Sequence, residues 1–297
     1  MKIGCAALYP ITRFGFPYSL DDYLKAVKEM RAAGFEACEL EINVDLDLGD
    51  YVQRKDEVCS VLAREGMSLS AVIGVVQQGF STDRIAADET QRRFEDLCQL
   101  VEQLGSKTVC ICAYLPKEIE GVRGSEIYRG SPPLEVRVPK DFDWDSFWSN
   151  AVRRLKQMAR TAARHHQDLV IENRVGDFVN TSDGVLKLIE DAGEPNVGCL
   201  LDLAHTHATK EHIALVIPKL KRRLKYVHLA DNDGTASNHF PAGRGTINFP
   251  EVFRTLKSVG YKGFANVDYG GVPADQIWED AKSGREYFEH CLTEVGA

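Results

Sequence analysis

Short apolar runs and helix-like segments alternate eight times along this chain, and that repetition leaves few folds open. The runs are KIGCAAL, ACELEIN, SLSAVIGV, TVCICAY, LVIEN, VGCLLDL, LKYVHLA and FANVDY. Between them, apolar periodicity and end signals predict helices over about 19–33, 51–65, 82–104, 144–166, 182–192, 208–219 and 249–259, with a last one over about 274–291. Ser19 with Asp22 has capping-box spacing, and Gly34, Gly66, Gly105 and Gly260 each follow a helical segment. A strand that leads into a helix pairs in parallel with the next strand. Eight such units favour a sheet closed on itself, so the expected fold is a single α/β domain over 1–297, a (β/α)8 TIM barrel. The one long irregular stretch, about 115–143, carries four prolines and follows the fourth strand. It is expected to be an inserted loop at the barrel mouth, serving as a cover or a contact surface.

Composition narrows the partners. The formal net charge is −8 with no basic tract, which argues against nucleic acid and against an anionic membrane surface. No apolar run is long enough to span a bilayer. The start, MKIGCAALYP, has an apolar stretch too short for a signal peptide, so a cytoplasmic location is expected. None of the eight cysteines has CxxC spacing, which removes a zinc ribbon or a thioredoxin-type site and leaves most of them as small buried apolar groups.

The chemistry lies at the strand ends. Glu172, Asp202, His228 and Asp268 stand at matching places near the carboxyl ends of the last four runs. Strand residues alternate between barrel interior and helix layer. By that alternation Val170 with Glu172, Leu200 with Asp202, Tyr226 with His228, and Asn266 with Asp268 all face inward. One acid alone would read as a helix N-cap, since such loops often end in Asp. Three acids and an imidazole converging in a low-dielectric lumen need a cation or each other. This donor set suits one divalent ion, Mn²⁺ first, with Mg²⁺, Co²⁺ or Zn²⁺ as alternatives.

The segments IENRVGDF, LLDLAHTHA, VHLADNDG and PAGRGTINFPEVFRTLKSVGYKGFANVDY resemble the sugar phosphate isomerase/epimerase family of the xylose-isomerase-like barrels. The resemblance runs from Lys2 to about His290 and is sharpest after Leu169. It implies that Glu172, Asp202, His228 and Asp268 bind the metal and that His205, one helical turn after Asp202, contacts a substrate oxygen. Two departures stand out. The last ligand of the family is usually Glu, and here it is Asp268. Ketose 3-epimerases carry a Glu six residues after the first metal Glu and an Arg six after the metal His; here those positions are Phe178 and Gly234.

The expected chemistry follows. A metal chelating adjacent carbonyl and hydroxyl oxygens acidifies the neighbouring carbon-bound proton, Glu172 removes it, and an enediolate results. Asp268 and His205 complete the catalytic set. Return of the proton gives isomerisation or epimerisation; loss of a β-substituent gives a lyase of the inosose dehydratase or keto-glycoside-cleaving kind. The substrate is a small sugar or keto-sugar. Glu41, inward on the second strand, Arg244 within Gly243-Arg244-Gly245, and His239 in the second long mouth loop are expected to bind it. Glu39 shares the inward parity of Glu41, for sugar hydroxyls or an ion pair. A homo-oligomer is expected, with room for a second subunit. Phosphodiester hydrolysis at abasic DNA would need a basic surface that this chain lacks, and a non-catalytic metal-binding subunit is the remaining alternative.

Overall fold

The computed structural model describes residues 1–119 and 135–296. Eight parallel strands close in sequence order into one barrel. They are β1 (Lys2–Cys5), β2 (Ala37–Asn43), β3 (Ser68–Val75), β4 (Thr108–Cys112), β5 (Asp168–Glu172), β6 (Val197–Asp202), β7 (Leu224–Leu229) and β8 (Phe264–Val267), with β8 pairing back onto β1. The helices around them are α1 (Leu8–Phe14), α2 (Leu20–Ala32), α3 (Leu48–Gln53), α4 (Lys55–Glu65), α5 (Arg84–Gln103), α6 (Trp144–Arg164), α7 (Ser182–Ala192), α8 (Leu203–Ala208), α9 (Ile213–Leu220), α10 (Phe249–Ser258) and α11 (Ile277–Val295). The expected barrel is therefore the observed one. The middle of the predicted mouth loop, 120–134, lies outside the described residues.

Local chemistry sets the boundaries. Ser19 and Asp22 form the predicted capping box at α2. The four glycines expected to end helices all have positive φ, from 64° to 94°. Three boundaries differ from expectation. A short helix, α1, follows β1 where none was predicted. The helix expected from Tyr51 is broken at Arg54, whose φ of −107° separates α3 from α4. The helix expected over 208–219 is two pieces: α8 starts directly at the end of β6 because the Asp202 side chain accepts the His205 amide, and Lys210 at φ 64° interrupts the turn before α9.

Apolar side chains form two layers. The larger lies between strands and helices, with Phe249, Phe253 and Phe288 packed together where α10 and α11 meet. The smaller fills the lumen with Ala7, Ala71, Ile73, Cys110, Val170, Leu200 and Tyr226. Val170, Leu200 and Tyr226 are the inward residues two positions before Glu172, Asp202 and His228. The apolar plug thus forms the floor of whatever the next inward layer builds. A register shift between Cys199 and Leu200 sets Asp202 directly beside His228 across the β6–β7 pair. Among the described residues no helix is long and apolar enough to cross a membrane.

Candidate metal centre

His228 stands at the middle of the upper lumen, and both ring nitrogens have defined jobs. Nε2 lies 2.8 Å from Glu39 Oε1. The Glu39 carboxylate also accepts the Ala7 amide at 3.0 Å and the Asn266 amide group at 3.1 Å. An acceptor so placed fixes the hydrogen on Nε2 and leaves a lone pair on Nδ1. That Nδ1 is buried and makes no hydrogen bond. It faces Asp268 Oδ2 at 3.4 Å, Asp202 Oδ2 at 3.5 Å and Glu172 Oε1 at 3.7 Å. The four residues predicted from the strand ends are therefore brought together. The shorter arm of Asp268 reaches as close to the imidazole as Asp202 does.

The arrangement fits a cation on electrostatic grounds. Glu39 and Asp202 have no exposed surface, and Glu172 and Asp268 are each 6% exposed. Buried carboxylates around one imidazole carry more negative charge than it can balance. The acids respond unequally. Burial opposes ionisation of Glu172, but the His228 ring beside it wins and holds its carboxyl down to about 2. Burial dominates at Asp268 and pushes it up despite His228 and His239. The orphaned Nδ1 lone pair and the three oxygens 3.4–3.7 Å from it are what a divalent ion with bonds of about 2.1–2.3 Å would draw together. Glu172, Asp202, His228 and Asp268 would hold it.

Asp202 does two things at once. Its Oδ1 accepts the His205 amide at 2.8 Å and caps α8, while Oδ2 faces the imidazoles. Helix cap and candidate ligand are one residue. Asn173 steadies it: its Oδ1 accepts the Asp202 amide at 2.9 Å, and its Nδ2 donates to Thr206 Oγ1 at 2.9 Å.

His205 is buried beside the cluster but is oriented for a different task. The Val175 amide donates to its Nδ1 at 3.3 Å, so in the neutral ring the hydrogen sits on Nε2. Nε2 has no partner among the described residues. Burial, only partly offset by Asp202, lowers its pKa to about 4 and keeps the ring neutral. A buried N–H donor aimed into the site suits a substrate oxygen; it offers a metal no lone pair. The grouping of Asp202, His205 and His239 within 4.8 Å of one another is therefore not a second three-ligand metal site.

The other predicted residues divide. Glu41 lies at the half-buried rim, one inward position above Glu39, and burial pushes its carboxyl up to about 7 against the pull of Arg174. His239 reaches the cluster, with Nε2 3.2 Å from Asp202 Oδ2. Arg244 does not reach it: the side chain is 49% exposed and its guanidinium pairs with Asp280 at 3.0 Å. The flanking Gly243 and Gly245 amides donate to Asp231 Oδ2 at 2.9 and 3.0 Å, so the protein's own carboxylate takes up the amides of that turn. A Cβ on Gly245 would stand 2.3 Å from Asn232 O and from Asp231 Oδ1, which explains glycine there without any ligand.

Of the two readings of Glu39, sugar hydroxyls or an ion pair, the structure shows the ion pair, with His228. Three residues were not singled out beforehand: Cys112, Arg174 and Asp177. Cys112 donates its Sγ–H to Glu172 Oε2 at 3.0 Å. Arg174 and Asp177, nearly buried, face one another at 3.5 Å, with the Tyr114 ring 5.1 Å from the guanidinium. The strand-end position of NRVGDF was the only signal for the last pair. Burial, with Glu172 adding to it, raises the Asp177 carboxyl to about 7 although Arg174 opposes this. A carboxyl whose folded pKa lies above its unfolded value of 3.8 binds more protons folded than unfolded between those limits. Its ionisation therefore costs stability as pH rises from 3.8 to about 7, and the full cost is present above 7. Asp177→Asn should remove that cost. Its melting temperature should match the parent near pH 4 and exceed it most near pH 8, with a ceiling of about 4 kcal/mol. A melting difference independent of pH would show that the carboxyl is not held in this state.

Residues 27–289 match the family described as the xylose isomerase-like TIM barrel. The chain is 23% identical over 270 residues to D-psicose 3-epimerase of Enterocloster bolteae, covering 87% of this chain and 82% of the relative. It is 23% identical over 287 residues to inosose dehydratase of Geobacillus thermodenitrificans, covering 90% and 89%. Its fold superposes on a D-tagatose 3-epimerase-like protein with a TM-score of 0.76 at 19% identity, over 100% of this chain and 98% of the other. With an intact eight-stranded barrel and a match across most of its length, the chain belongs to the xylose isomerase-like TIM barrel family.

Proposed function

We propose that this protein is a divalent-metal-dependent enzyme that moves the proton on the carbon beside the carbonyl of a sugar or keto-sugar. The observation that carries the reading is the convergence of Glu172, Asp202 and Asp268 on the unpartnered Nδ1 of His228 at the barrel mouth. The names of two relatives, a ketose 3-epimerase and an inosose dehydratase, support the substrate class. Epimerisation beside a carbonyl and loss of water β to it both begin by removing an α proton.

A bound divalent ion, Mn²⁺ by the oxygen-rich donor set, with Mg²⁺, Co²⁺ or Zn²⁺ as alternatives, supplies a Lewis acid to the substrate oxygens. The side chains do the rest. Glu172, held ionised, takes the α proton to a carboxylate oxygen. Asp268, arriving from β8 while Glu172 arrives from β5, returns a proton from another side. Carboxyls whose proton affinities are pushed in opposite directions suit base and acid roles. His205 donates Nε2–H to a substrate oxygen and steadies charge that develops there. Glu39 keeps the Nδ1 of His228 aimed into the site. Glu41, Arg174 and Asp177 offer polar groups at the rim for sugar hydroxyls.

A second outcome on the same site, elimination of a β-substituent, is favoured by two positions. Phe178 packs edge-on against Phe80 and Phe147 at 5.1 and 5.2 Å. A Cβ on Gly234 would stand 3.0 Å from Lys210 Nζ. Neither position offers the carboxylate or guanidinium that ketose 3-epimerases place there. A keto-sugar bearing a leaving group is thus the better substrate, and free fructose or tagatose the poorer. The test is a keto-sugar panel in D₂O with and without Mn²⁺. Deuterium at the α carbon, or release of a β-substituent, is expected only with metal. Efficient 3-epimerisation of free ketoses without elimination would overturn the lyase preference. Metal binding without exchange on any member of the panel would leave a non-catalytic subunit.

A further inference from the structure

The second long mouth loop carries His239 into the cluster, and it is built to hold that residue still. Asp231 and Phe240 pair as an antiparallel bridge, with N–O distances of 2.8 and 2.9 Å. The carbonyl of His239 accepts the Gly270 amide at 2.7 Å. Asn232 Nδ2 donates to Ala204 O and Asn238 O at 2.9 and 3.1 Å, which ties the loop to α8. The imidazole is buried, 3% exposed for the residue, and stacks edge-on with His205 at 4.9 Å.

Like His228, it has one nitrogen held by an outer acceptor and the other turned to the acids. Nδ1 lies 2.9 Å from Ser237 O. A carbonyl only accepts, so Nδ1 donates there; an ion taking the place of the hydrogen that Nε2 gives to Asp202 would meet the Nε2 lone pair. Nε2 lies 3.2 Å from Asp202 Oδ2 and 3.5 Å from Asp268 Oδ2. Those are the same two oxygens that face Nδ1 of His228, at 3.5 and 3.4 Å. Two imidazole nitrogens thus share two carboxylate oxygens between them, at spacings of 3.2–3.5 Å. Donor atoms around one ion with bonds of about 2.1 Å stand about 3.0 Å apart in an octahedron and about 3.4 Å apart in a tetrahedron.

From this geometry we infer that His239 is a fifth protein ligand of the same ion, not a substrate-binding residue. The inference rests on the proposed metal centre and changes what that centre can take. Four protein ligands leave an octahedral ion two open positions, enough to chelate a carbonyl and its neighbouring hydroxyl. Five would leave one, room for a single substrate oxygen. A second imidazole also moves the donor set away from Mg²⁺ and toward Mn²⁺, Co²⁺ and Zn²⁺.

The experiment counts imidazoles on the ion. Protein loaded with Mn²⁺ is studied by pulsed electron paramagnetic resonance, which reads nitrogen couplings from directly bound rings, and Mn²⁺ affinity is measured by titration. The parent is expected to show two coupled imidazoles. His239→Ala and His239→Gln should each show one, with Mn²⁺ held at least ~10-fold more weakly. Far-ultraviolet circular dichroism checks that both variants fold. The parent count needs no variant and decides the matter even if neither folds. One imidazole in the parent, with Mn²⁺ bound normally, overturns the inference and leaves the four-ligand centre standing. No Mn²⁺ bound to the parent at all overturns both.

Discussion

His228→Ala is expected to empty the metal centre. The parent should hold about one divalent ion per chain by elemental analysis, and EDTA should remove it together with activity. The variant should retain almost none. The graded comparison is Glu39→Gln, which leaves every proposed ligand in place but changes what grips Nε2 of His228 at 2.8 Å. Loss of such an outer partner weakens a metal by about 10–100-fold. Removal of the imidazole itself should cost more, because three buried acids then face one another with less to balance them. Asp202→Ala adds the loss of the α8 cap and should lower the melting temperature as well. Full metal content in His228→Ala, or full activity in EDTA, would end the metalloenzyme reading.

The parts of this site that the sequence made legible share one property: they lie on strands. Alternation along a strand fixes which way a side chain points, so Glu172, Asp202 and His228 could be assigned to the lumen, and Asp268, just beyond β8, followed the same count. The same alternation turned Glu39 inward but was silent on its partner. Whether it met a sugar or His228 depended on the barrel closing β7 and β2 around the same lumen. Loop residues carry no such rule. His239 and Arg244 were named together as mouth-loop residues, and the structure sends one into the cluster and the other to Asp280 on α11. The Asp231 carboxylate, which gathers the Gly243, Gly245 and Ile247 amides, does that sorting from a distance of 12 to 16 residues. The helix boundaries failed for a related reason. Asp202 as an N-cap pulls α8 up against the strand, a consequence of one side-chain bond that periodicity does not encode.

Glu172→Gln should block the proposed chemistry while sparing the site that performs it. The amide can turn its one oxygen to the ion and its NH2 to the Cys112 sulfur, in place of the Oε2 that accepts from the thiol at 3.0 Å, so metal content should stay near that of the parent. It cannot accept the α proton. Solvent deuterium exchange into a true substrate should fall by about 10²–10⁴-fold, the usual worth of a positioned general base. Asp268→Asn separates the two carboxyls. If Glu172 works on one face and Asp268 on the other, this variant should still exchange the proton of the epimer whose hydrogen faces Glu172, yet should form little of the opposite epimer. With a β-leaving substrate the split changes: elimination needs only the first proton removal, so Asp268→Asn should keep much of its rate while Glu172→Gln loses it. Measuring exchange, epimer formation and elimination on the two variants, with metal content determined for each, assigns the base by pattern instead of by one rate. Undiminished exchange in Glu172→Gln would remove it as the base. Loss of every reaction in Asp268→Asn, with metal retained, would move that role to Asp268.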